Sequence, residues 1–428
     1  MSLLPILVLF ILFFLNVPVA FALILSTAVY FLFVSTGVPV DVIFQRMVAS
    51  TESFPLLAVP FFVTAGCMMN YAGISSRLMN MADVLTGHMK GGLAQVNVVL
   101  SMFMGGVSGS ASADAAMDCK ILVPEMAKRG YDAPFSAAIT AASAIITPII
   151  PPGIGLILYA FLANQSVGKM FLAGYIPGLL LTVSLMIGVN QISKKRGYLP
   201  SRDRRATLKE IMLQLKDSIW ALAMPFGIIM GLRFGVFTPT EAGAIAVLFS
   251  MAVGFFVYKE LKIKHLPQVL LESALATSAV MLIIVAASAF GYYMTWERLP
   301  QTISGYLISI TDNPFLFLLI INLFLLIVGM FIEGTAALII LTPIIAPAAV
   351  AVGIDPIHFG IVVVLNLTIG AITPPFGSLV FLTGSVLSLS VIKIFKEIIP
   401  FIFIMIAILL LVTFFPDLVM FLPNLLMN

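Results

Sequence analysis

Two short runs of this chain combine small residues, hydroxyls and acids in a way that could bind ions. They are Gly109-Ser110-Ala111-Ser112-Ala113-Asp114 and Glu333-Gly334-Thr335-Ala336. Two others set prolines where an apolar helix would otherwise run on: Thr147-Pro148-Ile149-Ile150-Pro151-Pro152-Gly153 and Gly370-Ala371-Ile372-Thr373-Pro374-Pro375-Phe376-Gly377-Ser378. Proline removes an amide donor and evicts the carbonyl one turn back, so carbonyl oxygens are freed at these breaks. Carbonyl and hydroxyl oxygens together suit a hard monovalent cation, while the positive N-terminal ends of half-helices favour an anion. The residues therefore predict two sodium sites flanking an anionic solute. The first would draw on Gly109, Ser110, Ser112, Thr147, Ile150, Pro151 and Gly153, and the second on Gly334, Thr335, Gly370, Thr373, Pro374 and Gly377. The solute would lie between the tips, near Ser110, Ala111, Ser112, Gly334, Thr335 and Ser378.

Each of these residues also has a plainer reading. Gly and Ser in membrane helices often serve close packing. Asp114 and Asp118 could relay protons or could lie wet near the cytoplasmic end of their hairpin, and the second reading is preferred. Glu333 reads as a supporting or gating residue, Asp132 and Asp355 as helix N-caps, and Asn322 and Asn366 as bonds between helices. No phosphate-cradling loop, HExxH or Ser-His-Asp arrangement is present, so neither ATP drive nor hydrolysis has residues to perform it. The expectation is that the protein is not an enzyme.

The elements that must position these runs are membrane helices. Of 428 residues 61% are apolar and 10% charged, with a mean hydropathy of +1.15, and no soluble fold of this size needs so little polar surface. Cys67 and Cys119 sit in apolar or small-residue contexts, which argues against a disulfide framework. The net charge of +3 has no nucleic-acid footprint. Apolar runs predict crossings at about 3–15, 17–34, 50–71, 133–163, 168–193, 218–232, 238–258, 268–290, 356–385 and 394–421. Segments 93–122 and 315–346 have small or polar centres and read as re-entrant hairpins, because irregular backbone cannot face lipid and must line a protein cavity. Asn16-Val17-Pro18 is read as a break between two helices rather than a kink in one.

Adding 223 to Gly106, Pro124, Gly130, Asp132, Pro151 and Pro152 gives Gly329, Pro347, Gly353, Asp355, Pro374 and Pro375. Recurring turn and break residues in constant register imply two copies of one backbone path. With the basic segment 194–216 in the cytoplasm, 18 of the 22 Lys and Arg fall inside; Arg46, Lys169, Arg233 and Arg298 fall outside. Five crossings per copy is an odd number, so the second copy enters from the opposite face. The layout is an inverted repeat: 1–193 (amphipathic arm 74–90, hairpin 93–122, broken helix 133–163), a cytoplasmic linker 194–217, and 218–428 (arm 292–311, hairpin 315–346, broken helix 356–385). The arms join a mobile bundle to a static frame. The fold class is all-α, polytopic, with two re-entrant hairpins and two proline-broken helices, an architecture that points to transport.

At the hairpins and breaks the chain resembles the large membrane subunit of the TRAP (tripartite ATP-independent periplasmic) transporters. The carrying residues are Ser53-Phe54-Pro55-Leu56-Leu57-Ala58-Val59-Pro60-Phe61-Phe62, Gly109-Ser110-Ala111-Ser112-Ala113, Gly130-Tyr131-Asp132, Ile150-Pro151-Pro152-Gly153, Ala173-Gly174-Tyr175-Ile176-Pro177-Gly178 and Thr373-Pro374-Pro375-Phe376-Gly377, in order over essentially the whole chain. The resemblance implies an elevator driven by a sodium gradient, two or more sodium ions co-transported, and residence in a bacterial inner membrane. It implies two partners, a small four-helix membrane subunit, expected here as a separate chain, and a periplasmic substrate-binding protein. Two residues depart from the family pattern: Ala111 stands where a second Ser is common, and Gly153 where Ser commonly follows the proline pair. That shifts ligation toward backbone carbonyls, Ser110 and Ser112. The wording of both runs is similar to the sialic-acid branch, so the implied solute is sialic acid (N-acetylneuraminate). The other readings are a self-sufficient sodium-coupled dicarboxylate or anion symporter, and a sodium/proton antiporter. The absence of a shared acid at the two tips argues against the antiporter.

Overall fold

The computed structural model describes residues 3–15, 17–35, 37–311 and 313–427. Asn16, one member of the expected break near Pro18, lies outside them. The described residues form α-helices with short 3-10 and π turns and contain no strand. Eight helical stretches among them are long and apolar enough to cross a membrane.

The N-terminal half opens with α1 (Leu4–Phe14), α2 (Val19–Phe33) and α3 (Asp41–Thr51). It continues through α4 (Ala58–Tyr71), α5 (Ile74–Thr86), α6 (Gly92–Gly105), α7 (Ala111–Lys128), α8 (Ala133–Ser143), α9 (Ile154–Leu162) and α10 (Val167–Arg196). The C-terminal half has α11 (Leu208–Arg233), α12 (Pro239–Ala252), α13 (Leu266–Trp296), α14 (Leu299–Ile310), α15 (Pro314–Phe331) and α16 (Gly334–Ala351). It ends with α17 (Pro356–Gly370), α18 (Ser378–Leu387), α19 (Val391–Phe414) and α20 (Pro416–Leu426). Helix starts recur at the spacing seen in the sequence: Ala111 and Gly334 each open an 18-residue helix, and Ala133 and Pro356 stand at the same interval.

Several boundaries differ from the sequence reading. The segment 194–217 is helical at both ends, because α10 runs through its basic last turn to Arg196 and a Thr207–Glu210 capping box starts α11 early. Residues 292–296 belong to α13, which ends where Arg298 takes a left-handed φ of 55°, so the second arm is α14 alone. Helix α3 is an amphipathic piece the sequence reading passed over, and Phe415 separates α20 from α19.

Packing divides the helices. In one group α4 lies against α12, α2 and α3 against α13, and α5 against α11. The last pair is clasped by Arg77, which reaches Glu260 at 2.6 Å, lies 3.6 Å from Asp217 and stacks over the Tyr258 ring. In the other group α8 packs on α19 and α17 on α10, while α7 packs on α18 and α16 on α9. The second group holds the densest core. Helix α6 is buried along nearly its whole length, as are α8 and α17, which is possible because they are mainly apolar and polar side chains such as Asn97, Thr140, Ser143 and Asn366 bond within the core.

Candidate functional site

The first hairpin turns between α6 and α7. Gly109 there takes a left-handed φ of 58°, and Ser110 caps α7 by accepting from the Ala113 amide at 3.4 Å. Opposite lies the first break. After the 3-10 turn Ala144–Ile146 the chain leaves helical geometry and resumes at Ile154. Tip and break are joined by backbone, the Ile154 amide donating to the Gly109 carbonyl at 3.3 Å. A Cβ on Gly109 would stand 2.5 Å from the Pro152 oxygen; only glycine lets the two backbones approach this closely. The N-terminal ends of α7 and α9 are thereby brought side by side.

The second hairpin repeats the arrangement. Glu333 caps α16, its carboxylate accepting from the Ala336 amide at 3.0 Å and from the Thr335 hydroxyl at 2.9 Å. In the second break Thr373 tightens the end of α17 by bonding its amide to the Gly370 carbonyl and its hydroxyl to the Ile369 carbonyl. Gly377, with φ of 56°, donates its amide to the Met330 carbonyl at 3.2 Å. Gly329 and Gly370 meet so closely that a Cβ on Gly370 would stand 2.6 Å from the Gly329 Cα. Pro151-Pro152 and Pro374-Pro375 are both cis.

The structure brings most of the sequence-derived residues to these two tip-and-break pairs. In the first, Gly109, Ile150, Pro151 and Gly153 are buried, Ser110 and Ala111 are half-buried, and Ser112 is exposed. In the second, Gly370 and Gly377 are buried, Gly334, Thr335, Thr373 and Pro374 are half-buried, and Ser378 is exposed. Thr147 is placed differently from its fellows. Its hydroxyl lies 2.8 Å from Asp114 and 3.2 Å from the Ser101 carbonyl, turned into the hairpin rather than toward the tip. What it offers the break is its carbonyl, which faces Gly105.

Two expectations change. Asp114 and Asp118 are not wet at a hairpin end but have no solvent exposure, since α7 is enclosed by α6, α8 and α18. Asp132 does stand at the start of α8, yet its carboxylate bonds the Tyr198 hydroxyl at 2.7 Å and Arg196 at 3.4 Å instead of capping. Asp355, in contrast, caps α17 through the Ile357 and His358 amides. Asn366 donates to Asn322 and Asn322 to Thr413, a buried chain linking α17, α15 and α19 as expected. Ser101 is the residue sequence reasoning missed. The signal was there: Asn97 and Ser101 lie one turn apart on a mainly apolar helix, and Asp114 and Asp118 are likewise one turn apart on α7. Among the described residues no three His, Cys, Asp or Glu side chains converge as on a polynuclear or transition-metal centre.

This is the fold of a multi-pass helical transporter. The solved YdaH transporter of Alcanivorax borkumensis shares it with a TM-score of 0.65 at 14% identity, over 96% of this chain and 98% of that one. Neisseria gonorrhoeae MtrF, from a class of antimetabolite efflux pumps, does so with a TM-score of 0.59 at 13% identity, over 96% and 94%. The family described as "Tripartite ATP-independent periplasmic transporter, DctM component" matches residues 6–418. The chain belongs to that family, as a TRAP transporter large permease, and is a multi-pass protein of the inner membrane. It is 40% identical to the sialic acid TRAP transporter large permease SiaM of Vibrio cholerae over 96% of both chains. It is 39% identical to the sialic acid permease SiaT of Haemophilus influenzae, covering 96% of this chain and 67% of that protein. It is 37% identical to the C4-dicarboxylate large permease DctM of Pseudomonas aeruginosa over 89% and 88%.

Proposed function

We propose that this permease imports an organic acid, sialic acid before others, in symport with at least two sodium ions. The solute is handed over by a periplasmic substrate-binding protein, a four-helix small subunit accompanies the permease, and the hairpins and broken helices slide as one body past the remaining helices. The observation that carries this reading is the doubled tip-and-break contact. Ile154 to Gly109 and Gly377 to Met330 are similar backbone links, with donors 223 and acceptors 221 residues apart. The carbonyls around each link are those a sodium ion needs, and the four helix ends gathered there (α7, α9, α16, α18) present amides to a carboxylate. An inverted pair of halves, 1–193 and 218–428 with 194–217 between them, accounts for the spacing.

The solute rests on finer ground. Relatives named for sialic acid stand at 39–40% identity, but those named for isethionate and 2,3-diketo-L-gulonate stand at 39% and 37%. The shared feature of these names is an acid group, so the anionic end of the solute is the better supported half of the proposal.

The test is uptake into liposomes holding the permease and its small subunit. Labelled sialic acid should enter only with an inward sodium gradient and the cognate binding protein. Ser110→Ala, Ser112→Ala, Thr335→Val and Thr373→Val should each raise the sodium concentration giving half-maximal uptake, because each removes one possible oxygen ligand. Robust uptake without a binding protein would promote a self-sufficient symporter, and unchanged sodium dependence in all four variants would remove the paired sites.

A further inference from the structure

We propose that Arg129 is a positioning residue for the transport step, locking a paired hinge of segments 87–92 and 197–202 through which the sliding bundle joins its frame. The inference rests on the sliding-bundle reading above and says where that motion turns. Segment 87–92 leads from α5 into α6 and segment 197–202 leaves α10 for α11, while α6 packs on α8 and α10, and α10 on α17. Both chain crossings therefore join the same two bodies. On the arm side, the Ser201 and Arg202 amides donate to the Gly87 carbonyl at 2.8 and 3.1 Å. Asp83 accepts from the Ser201 hydroxyl at 2.6 Å and from the Arg202 guanidinium at 2.8 Å. Helix α5 is itself fixed to the frame by the Arg77 clasp and by the Ser218 hydroxyl, which donates to the Arg77 carbonyl. Four residues separate Arg202 from Thr207, the cap of α11, which keeps this side within about 18 Å of that helix.

On the bundle side, the Gly91 and Gly92 amides donate to the Tyr198 and Leu199 carbonyls at 3.2 and 3.4 Å. The turn between α7 and α8 holds the same stretch: Tyr131 donates to the Leu199 carbonyl and stacks on the Tyr198 ring, whose hydroxyl bonds Asp132. Between the two sets of bonds lie His88 to Lys90 on one strand and Pro200 on the other. Arg129, at the end of α7, reaches across them and donates to the Ser201 carbonyl at 3.0 Å. A hinge needs a few residues that can turn and room for the parts to move. Gly91 holds φ of 73°, and a Cβ on Gly92 would stand 2.2 Å from the Ser201 nitrogen, so glycine is what lets the two sides close on each other. Room lies beside Arg129, in a cavity of about 210 Å³ between α5, α6 and α7 bordered by Asn80, Asp83, Glu125, Arg129 and Ser201. A close-packed seam would resist sliding, whereas this one leaves space for α7 to shift against α5. The turn does not call for an arginine, since the residue 223 further on is Val352. A guanidinium on a carbonyl is stronger than a neutral hydrogen bond, yet small enough to break in every cycle. Arg129 thus weights the equilibrium toward the position seen here, while the bonds on either side of it persist.

Cysteine pairs in the full chain lacking Cys67 and Cys119, reconstituted with the small subunit and the binding protein, test the assignment. Asp83→Cys with Ser201→Cys, oxidised to a disulfide, joins two residues on the arm side and should leave uptake as it is in the reduced sample. Arg129→Cys with Ser201→Cys, bridged by a cleavable bis-methanethiosulfonate, joins the two sides and should stop uptake until the bridge is reduced. Spin labels at the exposed positions 128 and 209 report the bundle against the frame. Arg129→Met should move the ratio of the two distance populations about threefold to tenfold away from the position seen here, and Arg129→Lys should restore much of it. Uptake that survives the 129–201 bridge, or that is lost equally to the 83–201 disulfide, would overturn the hinge. An unchanged distance ratio in Arg129→Met would overturn the positioning role. A single distance in the otherwise wild-type protein under every sodium and solute condition would instead remove the sliding reading itself.

Discussion

Replacing Gly109 by alanine tests whether contact between tip and break builds the first sodium site. Gly109 holds φ of 58°, a conformation that costs a residue with a Cβ about 1–2 kcal/mol. The new methyl would stand 2.5 Å from the Pro152 oxygen and 3.2 Å from the Gly153 Cα. Both neighbours are backbone, so the tip or the break must shift, and overpacking of this kind costs about 1–3 kcal/mol. The shift also strains the Ile154 amide bond to the Gly109 carbonyl. A loss of roughly 2–5 kcal/mol at this contact, at 1.4 kcal/mol per tenfold, lowers first-site sodium affinity by about thirtyfold or more. Gly130→Ala is the control, since Gly130 has φ of 80° but nothing within 4 Å of an added Cβ. It carries the conformational cost alone, at the turn between α7 and α8. The assay is the sodium concentration for half-maximal uptake in liposomes, with melting temperature measured in parallel. If Gly109→Ala and Gly130→Ala show the same sodium dependence and the same stability loss, the contact does not shape the site.

Asn366→Leu leaves the Asn322 carbonyl oxygen without its donor, so stability should fall by about 1–3 kcal/mol, and Asn322→Leu added to it should cost less than the sum of the single changes; additive melting shifts would deny the network. Cysteines placed at the exposed positions 203 and 425, in a background lacking Cys67 and Cys119, should be labelled by an impermeant reagent from opposite sides of the membrane; labelling of both from one side refutes the inverted layout. Glu333→Gln keeps an oxygen for the Ala336 amide but removes the charge, so it should weaken sodium at the second site several-fold while sparing the first. An equal loss at both sites would mean that Glu333 acts on stability rather than on the ion.

The backbone-breaking residues were the legible part of this chain. Gly109, Pro151, Gly377 and their partners state where a helix stops and where two chains come close, and those requirements do not depend on distant contacts. The hairpins, the breaks and their register could be read for that reason. Side-chain destinations could not. Thr147 sits in the break by sequence, yet its hydroxyl turns to Asp114, because α6 passes behind it and supplies the Ser101 carbonyl as a second acceptor. Asp132 stands where a cap belongs, but Tyr198, some 66 residues on, takes its carboxylate. The wet placement of Asp114 and Asp118 failed for the same reason: distance along the hairpin was legible, whereas enclosure of α7 by α18 of the other half was not. Helix ends moved wherever a cap or a left-handed residue outweighed hydropathy, as at Thr207 and Arg298.

The two hairpins share a path but not a charge pattern. Ser110 and Glu333 are 223 apart and do the same backbone work, each accepting from the amide three residues on. A serine hydroxyl adds no charge at the very tip of α7, whose first acid is Asp114 one turn in, while a carboxylate sits directly on the N-terminus of α16. On the reading proposed above, an anionic solute between the tips would be drawn toward the α7 side and repelled by Glu333, which would add field strength to a cation at the second break. One turn deeper the pattern reverses. Hairpin 1 carries Asp114 and Asp118 where hairpin 2 carries Ala337 and Leu341. Each hairpin thus holds acidic side chains, at the tip in one and in the interior in the other, an arrangement that on the proposed reading would leave the first tip free for the anion. On the reading proposed above, the matched backbone breaks would offer carbonyls to both cations, and divergence of the capping and buried side chains would let an anion bind beside them.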